Sequence, residues 1–131
     1  MSADTDLATI AATDGRFAAE GLAFVGEGLR HQVEHLSAGD AAKRRHLSAA
    51  ELVEGVVDLA ARRYGALADL VLAGWGLRTA ADIGAVTFLL IEHGVFNRQD
   101  DDRREDFDVL PALTQTITAR VRAVALAGPL A

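Results

Sequence analysis

The sequence predicts a compact, mainly α-helical domain that carries a small β-hairpin. Apolar residues recur at three- and four-residue steps over most of the chain, and capping residues and glycines bracket these stretches, as in amphipathic helices. Only residues 95–98 and 105–110 show the partial alternation of short strands, on either side of a turn-like run of aspartates at 100–102. The 131 residues, half of them apolar, suffice for one core, which we place in a single domain over 14–127 with a tail at 128–131.

The first helix is predicted to begin near Asp14, which would be its N-cap. Residues 1–13 show neither a cap nor an apolar period, so we expect a flexible arm there. From Asp14 to Leu36 the apolar side chains follow one helical stripe. Glycines inside this stretch weaken the helix by about 1 kcal/mol each, and they would let another helix approach closely.

The second and third helices are marked by their ends. Ser48 and Glu51 form the S-x-x-E pattern of a capping box, so the second helix begins at residue 49 and is expected to end at Gly65. The third helix follows from about residue 66, carries Leu67 and Leu70, and stops at the Gly-Trp-Gly run at 74–76.

The fourth helix is expected to be the buried centre of the molecule. Thr79 with Asp82 forms its N-cap, and residues 80–93 are apolar almost all round. Gly94 is the expected stop signal. Pro111 suits the first turn of a last helix, which keeps helical spacing until the Gly-Pro pair near the C-terminus.

Composition and charge exclude several classes of protein. The chain has no cysteine, which excludes disulfides, a thiolate nucleophile and Cys-based zinc or iron–sulfur sites. The net charge of −6 disfavours a broadly cationic nucleic-acid binder, although a local basic patch is still allowed. The longest strongly apolar run is far too short to span a bilayer, so we expect a cytoplasmic protein with no membrane contact and no cofactor.

A series of residues between positions 46 and 107 keeps a characteristic spacing: His46, Ser48, Glu51, Leu52, Glu54, Gly55, Tyr64, Gly65, Trp75, Gly76, Thr79, Asp82, Gly84, Phe88, Leu90, Glu92, Gly94, Glu105, Asp106 and Phe107. The series, with a weaker match at 23–29, resembles the Minf-type family of small bacterial proteins. After Phe107 the sequence departs from the ending typical of that family. The resemblance implies a fold and supplies no activity that could be carried over.

A second likeness concerns the order of elements. Helix, turn, helix, glycine and an Asp- and Arg-rich tip follow each other as in a winged helix, and residues 90–96 and 102–104 look like the helix end and wing tip of MarR-type regulators. We therefore expect a winged-helix-like arrangement. A regulator of this kind would contact phosphates through Lys43, Arg44, Arg45, Arg62 and Arg63, with Arg103 and Arg104 at the tip. DNA reading is disfavoured, because the helix at 80–93 offers no Lys, Arg, Asn or Gln to base edges.

Two features are candidates for contact with a protein partner. Trp75 stands between two glycines and is either packed in the core or an exposed anchor. The other feature is the segment at 100–108, which holds six acids and two arginines and would either dock a basic partner or solubilise a loop tip. Its candidate contact residues are Asp100, Asp101, Asp102, Arg103, Arg104, Glu105, Asp106 and Phe107.

Two further patterns are candidates for a metal site and for acid–base catalysis. His31 and His35 lie one helical turn apart with glutamates beside them, which suits metal ligands, or else a solvated face with ion pairs between residues four apart. On the second helix, Asp58 and neighbouring glutamates could perform acid–base catalysis in a pocket that shifts their pKa values. The alternative is an ordinary helical ion pair between Asp58 and Arg62.

These observations favour a non-catalytic cytoplasmic accessory or adaptor protein of bacterial type that acts through protein–protein contacts. A homodimer formed by the amphipathic first and last helices stays open as well. The alternatives are a winged-helix regulator that binds nucleic acid, and a metal- or acid–base-dependent enzyme.

Overall fold

The computed structural model describes residues 3–36, 47–96 and 103–127, and the elements below are those of these ranges. In chain order they are α1 (Ala3–Asp14), α2 (Ala19–Leu36), α3 (Ala49–Tyr64), a 3₁₀ turn (Gly65–Leu67), α4 (Ala68–Gly74), α5 (Ala80–Glu92), α6 (Glu105–Asp108) and α7 (Leu113–Leu126). The mainly helical class is thus confirmed.

The expected β-hairpin is wrong, since the described part of the chain contains no β-strand. Residues 95 and 96 fold back onto the end of α5, where the N–H groups of Val95 and Phe96 donate to the carbonyl of Leu90 at 2.8 and 3.2 Å. Gly94, with a φ of +76°, allows this reversal. The second expected strand, 105–110, begins instead with the single helical turn α6. The winged-helix-like arrangement is therefore wrong too, because the hairpin was to form its wing.

The N-terminal segment also differs from the expectation. Where the sequence predicts a flexible arm at 1–13, the structure places α1, and Ile10 is only 3% exposed within the core. Alanines supply helix propensity there. Asp14 ends α1 rather than capping the next helix, and its carboxylate accepts a hydrogen bond from Arg16 at 2.9 Å.

The predicted capping box at Ser48 and the predicted N-cap at Thr79 are both confirmed. The hydroxyl of Ser48 accepts the N–H of Glu51 at 3.1 Å, and the Glu51 carboxylate accepts the N–H of Ser48 at 3.0 Å. The same reciprocal pair joins Thr79 and Asp82 at 3.1 and 3.0 Å. Each box satisfies backbone donors that have no partner within the helix, which fixes where α3 and α5 begin.

Helices α2 and α3 pack closely because each carries a glycine at the crossing. A Cβ atom added to Gly28 would lie 2.6 Å from Cγ2 of Val56, and one added to Gly55 would lie 2.5 Å from Cβ of Gln32. No real Cβ tolerates such distances. These two glycines therefore set the separation of the two helices, as the sequence led us to expect for the glycines of the first long helix.

Helix α5 is largely buried, as predicted, although α3 rather than α5 packs against the most other elements of the described chain. Ile83, Val86 and Leu90 are at most 1% exposed. Gly84 leaves a notch in α5 that the ring of Phe107 fills, since a Cβ at Gly84 would lie 2.7 Å from Cγ of that ring. The last helix, α7, packs mainly on α3 and also reaches α4 and the 3₁₀ turn.

Candidate functional site

Trp75 belongs to an aromatic cluster at the side of the core. Its ring centroid lies 5.4 Å from that of Phe24 and 6.0 Å from that of Tyr64, and the contact with Tyr64 is edge-to-face. Its backbone carbonyl accepts the N–H of Ala18 at 3.1 Å. The side chain is half-buried. This placement favours the packing interpretation of Trp75 over the exposed anchor.

The acidic segment is described only from residue 103 onward, so Asp100, Asp101 and Asp102 lie outside the described residues. Four side chains of the described part are exposed: Arg103, Arg104, Glu105 and Asp106. Phe107 is 5% exposed and sits in the notch at Gly84, so its ring is not available to a partner.

The basic residues proposed for phosphate contact separate into two groups. Lys43, Arg44 and Arg45 lie outside the described residues. Arg62 donates through Nε to Asp58 at 2.9 Å, and Arg63 pairs with Glu27 at 2.9 Å while its guanidinium lies over the ring of Phe24. Both arginines on α3 thus already have carboxylate partners, which weakens their candidacy as a phosphate site.

The two histidines proposed as metal ligands do not act as a pair. His31 places Nε2 2.7 Å from Oδ2 of Asp58, across the interface between α2 and α3. His35 is exposed near the end of α2. Among the residues that the structure describes, no group of three or more potential ligands is arranged to hold a metal ion.

Asp58 is the centre of a polar cluster that joins three helices. It contacts His31 of α2 and Arg62 of its own helix, and Arg120 of α7 at 3.5 Å. Its side chain is 14% exposed. Burial raises the pKa of Asp58, but hydrogen bonds from His31 and Arg62, together with the charges of Arg62 and Arg120, bring the pKa below its usual value.

This environment is that of a structural carboxylate rather than a general base. A general base works best with a pKa close to the operating pH, whereas the pKa of Asp58 is lowered and its oxygens already face three donors. Sequence reasoning paired Asp58 with Arg62 correctly. It missed His31 and Arg120, which are 27 and 62 residues away and can be found only once the helices are placed.

Among the described residues, the most exposed large apolar side chains lie elsewhere, in the 3₁₀ turn and α4, directly after α6 and at the C-terminal end of α7. Leu67 and Leu70 are 60% and 71% exposed, and Val109 and Leu126 are both 81% exposed. We call residues 65–77 and 109–127, which contain all four, the α4–α7 face. The hydroxyl of Thr114 donates to Asp69 at 3.2 Å and holds the two helices together.

Leu67 and Leu70 lie three residues apart and so project from the same side of the helical segment. Their neighbours Ala66 and Gly74 are exposed as well, while Ala68 and Leu72 are buried. The sequence of α4 is apolar apart from Asp69 and does not show which leucines the packing of α3 and α7 leaves exposed. The exposed pair is therefore a feature that sequence reasoning missed.

No family model, curated protein or solved structure matches the chain. The resemblance to the Minf-type family thus stays a prediction. Within the described ranges, no helix combines the length and the apolar character that crossing a membrane requires.

Proposed function

We propose that the protein is a non-catalytic binding module that docks another protein through the α4–α7 face. The observation that carries the proposal is the exposure of Leu67 and Leu70, side by side on one short helical segment. Full burial of one such side chain contributes about 1.5–3 kcal/mol, and contiguous exposed apolar side chains are typical of sites that bind other proteins.

The other chemistry of the molecule supports a binding role. The polar cluster at Asp58 has a carboxylate of lowered pKa whose donors come from three helices, an arrangement suited to holding those helices together. The acid–base alternative would need a titratable group tuned toward neutral pH. A cytoplasmic accessory or adaptor role is part of this proposal, and the absence of a bilayer-crossing helix among the described residues is compatible with it.

The test is site-specific photo-crosslinking in the native cell with the full chain. A photo-reactive amino acid replaces Leu70 in one variant and Glu92, an exposed residue outside the α4–α7 face, in the control. We expect an adduct of defined mass at position 70, absent at position 92, and lost when Leu67→Ser is added to the position-70 variant. Adducts of equal yield at both positions, no adduct at position 70, or an adduct that survives Leu67→Ser would refute the proposal.

A further inference from the structure

We propose that the bond between Asp14 and Gly15 is a site of aspartate isomerisation, which the folded chain protects through Arg16 and through the last hydrogen bond of α1. The sequence contains a single Asp-Gly pair, and this pair lies where α1 ends. Glycine has no side chain to hinder attack by its own backbone nitrogen. The inference concerns a covalent change within the chain and is independent of the α4–α7 face.

The reaction joins the backbone nitrogen of Gly15 to Cγ of Asp14. As the new N–Cγ bond forms, one carboxyl oxygen leaves as water and takes with it the carboxyl proton and the amide proton. The product is a succinimide ring. Water then opens the ring at one carbonyl or the other, which restores aspartate or leaves isoaspartate, so the final mass of the chain is unchanged.

The surroundings of Gly15 present no steric barrier to this ring. Gly15 is exposed, and no atom from another part of the described chain lies within 4 Å of the position that its Cβ would take. Its φ of +81° is the conformation of a glycine that directly follows a helix. Protection must therefore come from contacts of the two reacting groups themselves.

Arg16 protects the carboxyl group. Its Nη2 donates to Oδ1 of Asp14 at 2.9 Å, and its Nε and backbone N–H donate to Oδ2 at 3.1 and 3.2 Å. An oxygen can leave as water only from the protonated acid, whereas these hydrogen bonds favour the ionised form. The side-chain hydrogen bond from Arg16 accordingly lowers the pKa of Asp14.

Helix α1 protects the attacking nitrogen. The N–H of Gly15 donates to the carbonyl of Ala11 at 2.9 Å. The nitrogen must give up this proton before it can bond to Cγ, so the last turn of α1 has to open first. Ile10, which is only 3% exposed, holds this part of α1 in the core. Isomerisation is thus coupled to local opening of α1.

Isomerisation would also change the fold. In isoaspartate the main chain runs through Cβ and Cγ, which inserts one extra carbon between α1 and the segment that leads to α2. The insertion lies only four residues after Ile10, which fills part of the core. The modified chain would therefore hold α1 less well on the rest of the molecule.

The experiment incubates the full-length chain and its variants at neutral pH and measures isoaspartate at position 14 by peptide mapping. We expect Arg16→Gln to form isoaspartate about three- to fivefold faster than the native chain, since it removes the charged donor. Arg30→Gln is the matched control, because Arg30 is an exposed arginine of α2. It should change the rate by less than about twofold.

The same incubation in concentrated urea shows whether folded contacts are responsible. The unfolded native chain should isomerise faster than the folded one, and at the same rate as unfolded Arg16→Gln. The proposal would be overturned by equal rates of the native chain with and without urea, or by equal rates of the folded native chain and folded Arg16→Gln. A difference between these two chains that persists in urea would also overturn it.

Two further measurements separate the roles of Arg16 and α1. Hydrogen exchange of the α1 amides should be unchanged in Arg16→Gln, and faster exchange would overturn the direct role of Arg16, because the helix itself would then have opened. Ile10→Ala loosens α1 without removing the contact between Arg16 and Asp14, and should accelerate both amide exchange and isomerisation. An unchanged rate of isomerisation in Ile10→Ala would overturn the role assigned to α1.

Discussion

Asp58 is the residue at which three helices meet through polar contacts. Its carboxylate faces His31, Arg62 and Arg120, which belong to α2, α3 and α7. Because the folded pKa is lowered from the usual value of 3.8, ionised Asp58 stabilises the fold. That contribution is present at pH values above 3.8 and is lost as the pH falls through the lower, folded pKa.

At this scale we expect Asp58→Asn to lower the free energy of unfolding by about 1–3 kcal/mol at neutral pH. The difference between the variant and the native chain should shrink as the pH is brought below 3.8. Urea unfolding at a series of pH values measures both effects. Glu54→Gln is the control, since Glu54 is exposed on the same helix, and should change stability by less than about 0.5 kcal/mol. The stabilising role of Asp58 would be contradicted if Asp58→Asn lowered the free energy of unfolding as little as Glu54→Gln does. It would also be contradicted if the loss at Asp58→Asn did not change with pH.

At the scale of elements, the closeness of α2 and α3 depends on two glycines rather than on large apolar side chains. Gly28 lies against Val56 and Gly55 lies against Gln32. The two helix backbones are therefore closer together than they could be if either glycine were replaced by a residue with a Cβ atom. The same approach places His31 beside Asp58. The contact between His31 and Asp58 therefore depends on the close packing of α2 and α3.

Gly28→Ala should therefore destabilise the protein by about 1–3 kcal/mol, because its Cβ would overlap Val56. Gly26→Ala is a matched control two residues away in the same helix, where the nearest atom would be 3.9 Å from the new Cβ. There the better helix propensity of alanine should dominate and raise stability by up to about 1 kcal/mol. Thermal and urea unfolding compare the two variants. Equal effects of the same sign would show that the helices are not in this close contact.

How far each element could be predicted depends on the range of the interaction that defines it. The capping boxes at Ser48 and Thr79 span four residues and could be read from the sequence. The structure at the end of the predicted hairpin could not be predicted from the sequence. The position of Phe107 depends on the notch at Gly84, which lies more than twenty residues earlier. The alternation around Phe107 is local and carries no information about that contact.

At the scale of the whole molecule, the buried core contrasts with the exposed apolar side chains of the α4–α7 face. Helix α5 packs against α2, α3 and α6, whereas α4 packs against α3 and α7 and keeps one side exposed. Leu72 and Leu70 show the division within one helix, since Leu72 is 0% exposed and Leu70 is 71% exposed. No pattern in the sequence distinguishes these two leucines, because the difference arises from where α3 and α7 pack against α4.

The proposed docking at the α4–α7 face requires that Leu70 faces water in the free protein. The most direct measurement is the free energy of unfolding of Leu70→Ala beside that of Leu72→Ala, from the same helix. We predict a change below about 0.5 kcal/mol at Leu70 and a loss of about 2–5 kcal/mol at Leu72. Similar large losses at both positions would show that Leu70 belongs to the core and that the α4–α7 face is not exposed.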